Sequence, residues 1–325
     1  MFDSIQQPIL DDLRRYSEMF GRVMHSDNAL LAAALAHIAQ RPGKLMRPIL
    51  ILLSARMGGC VNQEVLHAAV ALELLHTSSL VHDDVVDESA RRRGVPSVNA
   101  LWDNKAAVLV GDYLAAAVLD EASLTGRMDV VERIGWLAKT LADGELLQLS
   151  ATSLDTFDEA DYFRVIERKT ASLFSTCCWV GATLSGAPSQ TVQALETFGH
   201  RIGLCFQLRD DIFDFDDTLD VGKPKGNDMQ EGKLTLPVLY ALQTAGDDRY
   251  RSLALKVRRG EADPDEMRRL AAFVVSHGGV AYAQQRMQQF AAEAHTLVDT
   301  LATGTANAIA TALKDYMDYV IRRQR

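Results

Sequence analysis

The chain has 325 residues, 48% of them hydrophobic, and a formal net charge of −9. This balance predicts a soluble globular protein that is long enough to bury a sizeable core. The acidic charge argues against nucleic acid as the main partner, because binding to a phosphate backbone needs a basic face. The four cysteines (Cys60, Cys177, Cys178 and Cys205) show no CxxC spacing, so we predict free thiols in a reducing compartment.

Neither the start of the chain nor its interior shows a targeting or membrane segment. Met1–Gln7 has neither the basic start nor the apolar core of a signal peptide. Residues 170–195 carry no charge, but they contain many polar side chains and Pro188, which is unsuitable for a membrane-spanning helix. We therefore expect a buried helix there, no transmembrane segment and a cytoplasmic protein.

Helical periodicity runs through the whole chain, and strand alternation is nowhere sustained. Apolar residues from Ile5 to Phe20 predict an amphipathic opening helix, and an alanine- and leucine-rich run predicts a second over 28–39. The further predicted helices are 46–57, 63–86, 104–124, 130–151, 159–185, 189–215, 236–244, 264–277, 280–301 and 305–323. No linker divides them, so residues 1–325 are predicted to form one all-α domain, larger than a four-helix bundle but packed in the same way.

Three aspartates end the predicted helix 63–86, and Asp83, Asp84 and Asp87 stand at i, i+1 and i+4. A helix brings Asp83 and Asp87 to one face, roughly 5–6 Å apart at Cβ, where like charges destabilise it. The pattern therefore favours a bound cation, and Mg²⁺ suits hard oxygen ligands that it shares with substrate phosphates. Taken alone, such a motif is more often an acidic helix end followed by a basic loop, here the three arginines 91–93.

The same spacing recurs about 130 residues later, at Asp210, Asp211 and Asp214, again at the end of an apolar helical run. Two such clusters in one chain are hard to attribute to surface chance. Facing each other, they would hold several divalent ions around one diphosphate. The repetition makes the metal-binding interpretation the favoured one.

Basic side chains near these motifs predict two anion sites. Lys44 and Arg47 lie in a turn before a helix, and His76 precedes Asp83 by two helical turns on roughly the same face. Together with Arg93 they form one candidate site, although an ordinary loop and a core histidine remain alternatives. The other candidate site consists of Arg92, Lys169, Lys223 and Lys233 with the metals. The C-terminal run 322–325 is either a solvated end or the cap of an anionic site.

From 43 to 240 the residues resemble the trans-isoprenyl diphosphate (polyprenyl) synthases, and more weakly so to the C-terminus. The anchors are GKLMRP, HDDVVDESARRRG, VLVGD, GELLQ, RKTASLF, FQLRDDIFD and GKPKGNDMQEGKLTLP, in this order. The segments around Asp83 and GKLTLP look most like the long-chain, octaprenyl-type members. The resemblance implies an all-α bundle around a central cavity, usually a homodimer, which uses several Mg²⁺ ions.

The resemblance also implies roles for individual residues. Asp83, Asp87 and Asp210 would be metal ligands, and Asp84, Asp211 and Asp214 would complete the catalytic motifs, together with Lys169. The residues implied for isopentenyl diphosphate are Lys44, Arg47, His76 and Arg93. Those implied for the allylic diphosphate are Arg92, Lys169, Thr170, Gln207, Lys223 and Lys233. Two positions depart from the family pattern: Pro42 replaces a glycine, and Arg91 adds a third arginine before Gly94.

The chemistry agrees with these residue types. Metal ions would neutralise the leaving diphosphate, the allylic bond would ionise, and the alkene of isopentenyl diphosphate would attack the cation before a proton is lost. We expect the growing tail to run along helix 63–86 past Ser79, Ser78 and Leu75, with Ser78 as a gate. Because Ser78 and Ser79 are small, we predict a product longer than fifteen carbons, to be handed to membrane enzymes.

Three alternatives remain at this point. A shorter-chain synthase (geranylgeranyl or farnesyl) would share every motif. A non-catalytic regulatory subunit would be expected to lose aspartates, yet both motifs are whole. A terpene cyclase would need only one diphosphate site, whereas the set Lys44, Arg47 and His76 argues for two.

Overall fold

The computed structural model describes residues 2–40, 43–92, 94–152, 158–215, 227–302 and 307–323. Within these ranges almost all of the backbone is helical, which confirms the predicted all-α class. The first group of helices is α1 (Phe2–Gln6), α2 (Leu10–Val23), α3 (Ala29–Ala39), α4 (Met46–Gly58), α5 (Gln63–Val86), α6 (Val98–Leu101), α7 (Asn104–Ser123) and α8 (Met128–Thr152). The second group is α9 (Glu159–Ile166), α10 (Ser172–Leu184), α11 (Ser189–Phe213), α12 (Asn227–Gln230), α13 (Leu236–Ala245), α14 (Asp248–Arg258), α15 (Pro264–Ser276), α16 (Gly279–Leu301) and α17 (Asn307–Arg322).

Side-chain caps explain where several of these helices begin. The Asn62 side chain accepts a hydrogen bond from the Val65 backbone N–H, so α5 begins at the predicted residue. Asp263 and Glu266 form a reciprocal capping box ahead of α15. Local sequence signals of this kind account for the close agreement between most predicted and observed helix bounds.

Helix α5 lies at the centre of the bundle, packed against α4, α7 and α10. On the other side of α10, helix α11 packs against α16, and α17 lies over α16, α11 and α4. The main core is built from the buried apolar faces of these helices. A second, smaller apolar cluster lies under α12–α15 and includes Val238, Leu270 and Phe273. The assignment of residues 1–325 to one domain stays a prediction.

Several features were not predicted from the sequence, among them the helices α6, α12 and α14. The predicted helix 159–185 is interrupted by a π-helical turn, Glu167–Ala171. A two-residue hairpin pairs Arg91 with Pro96 and Arg92 with Val95. Strands this short carry no alternation that a sequence pattern can reveal.

Helix α5 is long and apolar enough to cross a membrane by length and composition, and it alone among the described helices meets that test. However, 56% of its most apolar window is buried inside the bundle. Burial of this extent is expected for the core helix of a globular fold.

Candidate active site

The first aspartate motif lies at the C-terminal end of α5. Asp87 is the exposed C-cap residue, and Asp83 lies one turn earlier, partly buried. Burial and, after it, the nearby Glu145 carboxylate raise the pKa of Asp83 to about 6. The charged form of Asp83 is thus unfavourable without a cation, chiefly because of burial and Glu145 and to a smaller extent because of Asp87.

The middle aspartate of this motif is already paired with a protein cation. Asp84 is 4% exposed, and Nε of Arg92 donates to both of its carboxylate oxygens at 2.8 Å. The hairpin after α5 brings Arg92 back to this position. Asp84 therefore holds Arg92, a residue predicted to contact the allylic diphosphate, beside the helix end.

The second motif ends α11 and repeats this division of roles. Asp211 is 1% exposed and accepts hydrogen bonds from Nε2 of Gln207 at 2.9 Å and from the hydroxyl of Tyr162. Burial, followed by the nearby Asp228, raises the pKa of Asp211. Asp214 accepts the backbone N–H of Asp228 at 2.8 Å, so the motif is also joined to the start of α12. In both motifs the second carboxylate fixes protein groups, while the outer ones are more accessible.

The π-helical turn contains Lys169 and Thr170, two further residues of the predicted allylic-diphosphate set. Nζ of Lys169 lies 2.8 Å from Oε1 of Glu145, and Oγ1 of Thr170 donates to Oε1 of Gln207 at 3.0 Å. Helix α8 approaches this turn closely, since a Cβ on Gly144 would lie only 2.8 Å from the Lys169 backbone nitrogen. Turns of this type are frequent at functional sites. Here the turn connects the Glu145 side of the site with the second motif.

Lys233 interacts with the charges of acidic groups in both motif regions. Burial acts to lower its pKa, but the hydrogen bond from Lys233 to Glu231 and the charges of Asp228 and Asp87 outweigh burial and raise it. Asp228 lies beside the second motif, and Asp87 belongs to the first. A cavity of about 160 Å³ adjoins this region, lined in part by Lys169, Gln207, Asp211, Asp228 and Lys233. The fold thus brings both motifs and most of the predicted allylic-diphosphate set together.

The basic turn before α4 lies on another flank of α5. Lys44 is exposed, with Nζ 5.3 Å from the centre of the Tyr319 ring, and the Arg47 guanidinium lies 5.8 Å from the Phe174 ring. Leu45, between them, has a left-handed backbone (φ 51°), a conformation that costs a non-glycine residue about 1–3 kcal/mol. Such strain is common where a turn must direct side chains into a site.

A second, mostly apolar cavity of about 320 Å³ adjoins this turn. His76 and Arg92 line it, together with Gly43, Asp84 and apolar residues of α2, α3 and α5. His76 therefore lines the same cavity as Gly43 of the basic turn. Two predicted ligands, Arg93 and Lys223, lie outside the described residues, as does Pro42.

The three residues predicted to control product length lie on α5 before Asp83. Ser78 is 3% exposed, and its hydroxyl donates to the Gly111 carbonyl of α7 at 2.9 Å. Ser79 donates to the His76 carbonyl of its own helix, and Leu75 packs against the main core. Ser78 thus lies at the contact between α5 and α7.

Four residues of this site had no role assigned from the sequence: Glu145, Gln148, Tyr162 and Asp228. A fifth, Arg323, belongs to the run 322–325, for which the cap of an anionic site was one of two alternatives. Gln148 accepts from Nζ of Lys169 at 3.3 Å, and burial followed by Asp214 raises the pKa of Asp228 to about 7. Glu145, Gln148 and Asp228 stand inside motifs that carry the family resemblance, which was a usable signal. Tyr162 reaches the site through tertiary packing, and no local pattern marks it.

The outer carboxylates fit a hard divalent ion. They are oxygen ligands at the edge of the bundle, and the Asp83 environment disfavours an uncompensated charge. No three His, Cys, Asp or Glu side chains among the described residues converge closely enough to hold an ion by themselves. This arrangement suits Mg²⁺, which usually keeps waters and binds through one or two carboxylates plus substrate phosphates.

Comparison with known proteins agrees with this geometry. The model of the polyprenyl synthetase family matches residues 28–274. Heptaprenyl diphosphate synthase component 2 of Geobacillus stearothermophilus is 37% identical, over 96% of each chain. A geranylgeranyl pyrophosphate synthase of Bacteroides thetaiotaomicron is 43% identical, with a TM-score of 0.85 over 99% of each chain. A polyprenyl synthase of Caulobacter crescentus, solved with calcium and isoprenyl diphosphate, is 30% identical, with a TM-score of 0.91 over 100% of this chain and 98% of the other.

The chain is a prenyltransferase with the isoprenoid synthase fold, as its helices, its paired aspartate motifs and these similarities show. The chain belongs to the polyprenyl synthetase family, the all-trans polyprenyl diphosphate synthases.

Proposed function

We propose that this enzyme uses Mg²⁺ to join isopentenyl diphosphate to an allylic diphosphate and that it makes a long-chain product. The observation that carries the proposal is the cavity that Lys169 and Lys233 line together with Asp211. The charges of Asp83 and Asp87 in the first motif act on these two lysines. Acidic groups for metal and basic groups for phosphate then alternate around one small volume. A polyprenyl synthase of the same fold that was solved with calcium and isoprenyl diphosphate supports this choice of ligands.

In this proposal Asp83, Asp87 and Asp210 hold the metal ions, which would neutralise the diphosphate that leaves the allylic substrate. Lys169, Thr170, Gln207 and Lys233 orient the same diphosphate, and Arg92 and Lys223 complete that set. Asp84 and Asp211 keep Arg92 and Gln207 in position.

Isopentenyl diphosphate is proposed to bind at the second anion site, formed by Lys44, Arg47, His76 and Arg93. Holding its alkene near the ionised allylic carbon supplies much of the rate enhancement, since orientation of two reactants is worth several kcal/mol. The apolar walls around α5 exclude water that would otherwise quench the cation. The released diphosphate accepts the proton, so no side-chain nucleophile is needed.

The test is product analysis with purified protein, Mg²⁺, labelled isopentenyl diphosphate and a farnesyl or geranylgeranyl diphosphate primer. A ladder that ends in one dominant long chain is the expected result. Folded protein that incorporates no label with any primer would overturn the proposal.

The alternative proposal for product length is a shorter-chain (geranylgeranyl) synthase. The 43% identity to a geranylgeranyl pyrophosphate synthase favours it, whereas the heptaprenyl relative and the small residues Ser78 and Ser79 favour a longer product. Dominant twenty-carbon product in the same assay would decide for the shorter chain.

We further propose a cytoplasmic homodimer. Apolar side chains are exposed along α7 and α8, including Leu109 (60%), Leu119 (64%) and Trp136 (44%), and a second copy would cover them. The four cysteines are free, as expected in a reducing compartment. The name of the heptaprenyl relative, a component 2, makes a partner of different sequence the alternative.

A further inference from the structure

One face of α17 contacts both anion regions of the molecule. The Tyr316 hydroxyl donates to the Met46 carbonyl at 2.9 Å, and the Tyr319 ring lies 5.3 Å from Nζ of Lys44. One turn further on, just beyond the end of α17, Nη2 of Arg323 donates to Oδ1 of Asp210 at 2.6 Å. The end of this helix therefore connects the basic turn with the first aspartate of the second motif.

Arg323 is fixed in place on several sides. Its side chain is only 9% exposed, and its guanidinium lies 3.7 Å from the centre of the Phe206 ring. Nη2 also donates to the Phe206 carbonyl at 3.0 Å, while Nε of Arg209 donates to the Arg323 carbonyl at 3.0 Å. A planar guanidinium stacked on a ring loses little further freedom when it makes a directional hydrogen bond. The Arg323 side chain is thus buried and held by several contacts, unlike the partners of an exposed surface ion pair.

We propose that Arg323 is a positioning residue that orients the Asp210 carboxylate for metal binding. The inference rests on the proposed function, in which Asp210 is a metal ligand. Carboxylates that ligate metals are commonly held by a second hydrogen bond, and loss of such a partner typically weakens metal binding about 10–100-fold. Arg323 donates to Oδ1, one of the two oxygens through which this carboxylate can be oriented.

The opposite physical effect is competition. An arginine that neutralises Asp210 would have to leave before a cation binds, and its removal would strengthen metal binding. Burial and stacking of Arg323 argue against this, because displacement would cost the contacts with Phe206 as well as the ion pair. Positioning predicts that removal of the Arg323 side chain weakens metal binding, whereas competition predicts that it strengthens metal binding. One binding experiment therefore distinguishes them.

The experiment measures Mn²⁺ binding to the full chain by the electron paramagnetic resonance signal of free Mn²⁺, with and without inorganic diphosphate. Arg323→Ala should weaken binding about 10–100-fold, and Arg323→Lys should recover part of the loss. Arg322→Ala is the matched control, because Arg322 is 65% exposed and pairs with Asp318. In the Asp210→Asn background, Arg323→Ala should have no further effect.

Unchanged or tighter Mn²⁺ binding by folded Arg323→Ala would overturn the inference while leaving the proposed function intact. A wild-type chain that binds no Mn²⁺, or binding that Asp210→Asn leaves unaltered, would instead contradict the assignment of Asp210 as a ligand. Melting temperatures of all variants separate these results from misfolding.

Discussion

At the scale of single residues, the adjacent carboxylates Asp83 and Asp84 of the first motif have different roles. Asp84 is buried and paired with Arg92, whereas Asp83 is in surroundings that raise its pKa to about 6. A raised carboxyl pKa means that the folded protein disfavours the charged form relative to the unfolded chain. Replacing each with asparagine should therefore have opposite effects on the metal-free protein.

We expect Asp84→Asn to lower the free energy of unfolding by about 2 kcal/mol, because it leaves Arg92 without its partner. Asp83→Asn should raise the melting temperature of metal-free protein at pH 8, since it removes an unfavourable charge. Thermal unfolding in the presence of a chelator measures both. Equal destabilisation by the two substitutions would contradict this division of roles.

The raised pKa values of Asp83 and Asp228 predict that stabilisation by Mg²⁺ depends on pH. The pKa values of Asp83 (about 6) and Asp228 (about 7) lie above the unfolded carboxyl value, so their protonated forms stabilise the fold at low pH. That contribution is lost as the pH rises through the folded values, and the charged carboxylates then become available to a cation.

Mg²⁺ should accordingly raise the melting temperature more at pH 8 than at pH 5.5. Differential scanning calorimetry at fixed ionic strength measures the increment at each pH. Ca²⁺ should behave alike, and K⁺ at matched ionic strength should not. An increment independent of pH would show that these carboxyls do not take part.

At the scale of elements, the π-helical turn 167–171 depends on a close approach by α8. A methyl group on Gly144 would meet the Lys169 backbone nitrogen, whereas a methyl group on Gly135, nine residues earlier on the same helix, has nothing within 4 Å. Two glycines of one helix thus provide a site variant and its control.

Gly144→Ala should reduce kcat/KM by about 10²-fold, since a displacement of about 1 Å at catalytic groups has effects of this size. Gly135→Ala should leave activity unchanged and raise stability by about 0.5–1 kcal/mol, because alanine favours a helix interior. Steady-state kinetics and denaturant unfolding measure the two effects. Normal activity of Gly144→Ala would mean that the turn does not need this approach.

The contact between α5 and α7 is the place to test product length. Ser78 is buried there against Gly111, so a tail that runs between these helices must pass it. Ser78→Phe should shorten the product, and mass spectrometry of the extracted diphosphates measures it. Ser78→Ala, which loses only the hydroxyl, should leave the product length unchanged.

Ser79→Phe locates the tail independently. Around a helix, Ser79 is about 40° from Asp83 and Ser78 is about 140° from it. A shortened product from Ser79→Phe alone would mean that the tail stays on the Asp83 face, which contradicts a gate at Ser78.

Sequence patterns predicted the elements better than the contacts between them. The start of α5 follows from the Asn62 cap, and the spacing of both aspartate motifs follows from the helical repeat. The partners of Asp211 and Asp210 could not be predicted, because Tyr162 is 49 residues away and Arg323 is 113 residues away along the chain. The π-helical turn was hidden for another reason, since its residues are as compatible with an ordinary helix as their neighbours.

At the scale of the whole molecule, the exposed apolar faces of α7 and α8 predict self-association. Leu109→Glu should convert a dimer to a monomer, because it introduces a charge on the face that the second copy would cover. Leu30→Glu is the control, as Leu30 is comparably exposed (49%) but lies on α3. Sedimentation velocity measures the mass, and a wild-type monomer would direct attention to a partner of different sequence.

Helix α5 must be apolar to form part of the core, but its apolar side chains are uncovered until folding is complete. Its 24 residues have the length and hydropathy of a membrane span, and they become protected only when α7 and α10 pack over them. During synthesis on the ribosome, α5 emerges before α7 and α10, so for that interval its apolar side chains lack the helices that cover them in the folded chain. The aspartates at its C-terminal end distinguish α5 from a membrane span, because charges are costly to place in a bilayer. The residues proposed for catalysis thus also make this apolar helix less suited to a bilayer.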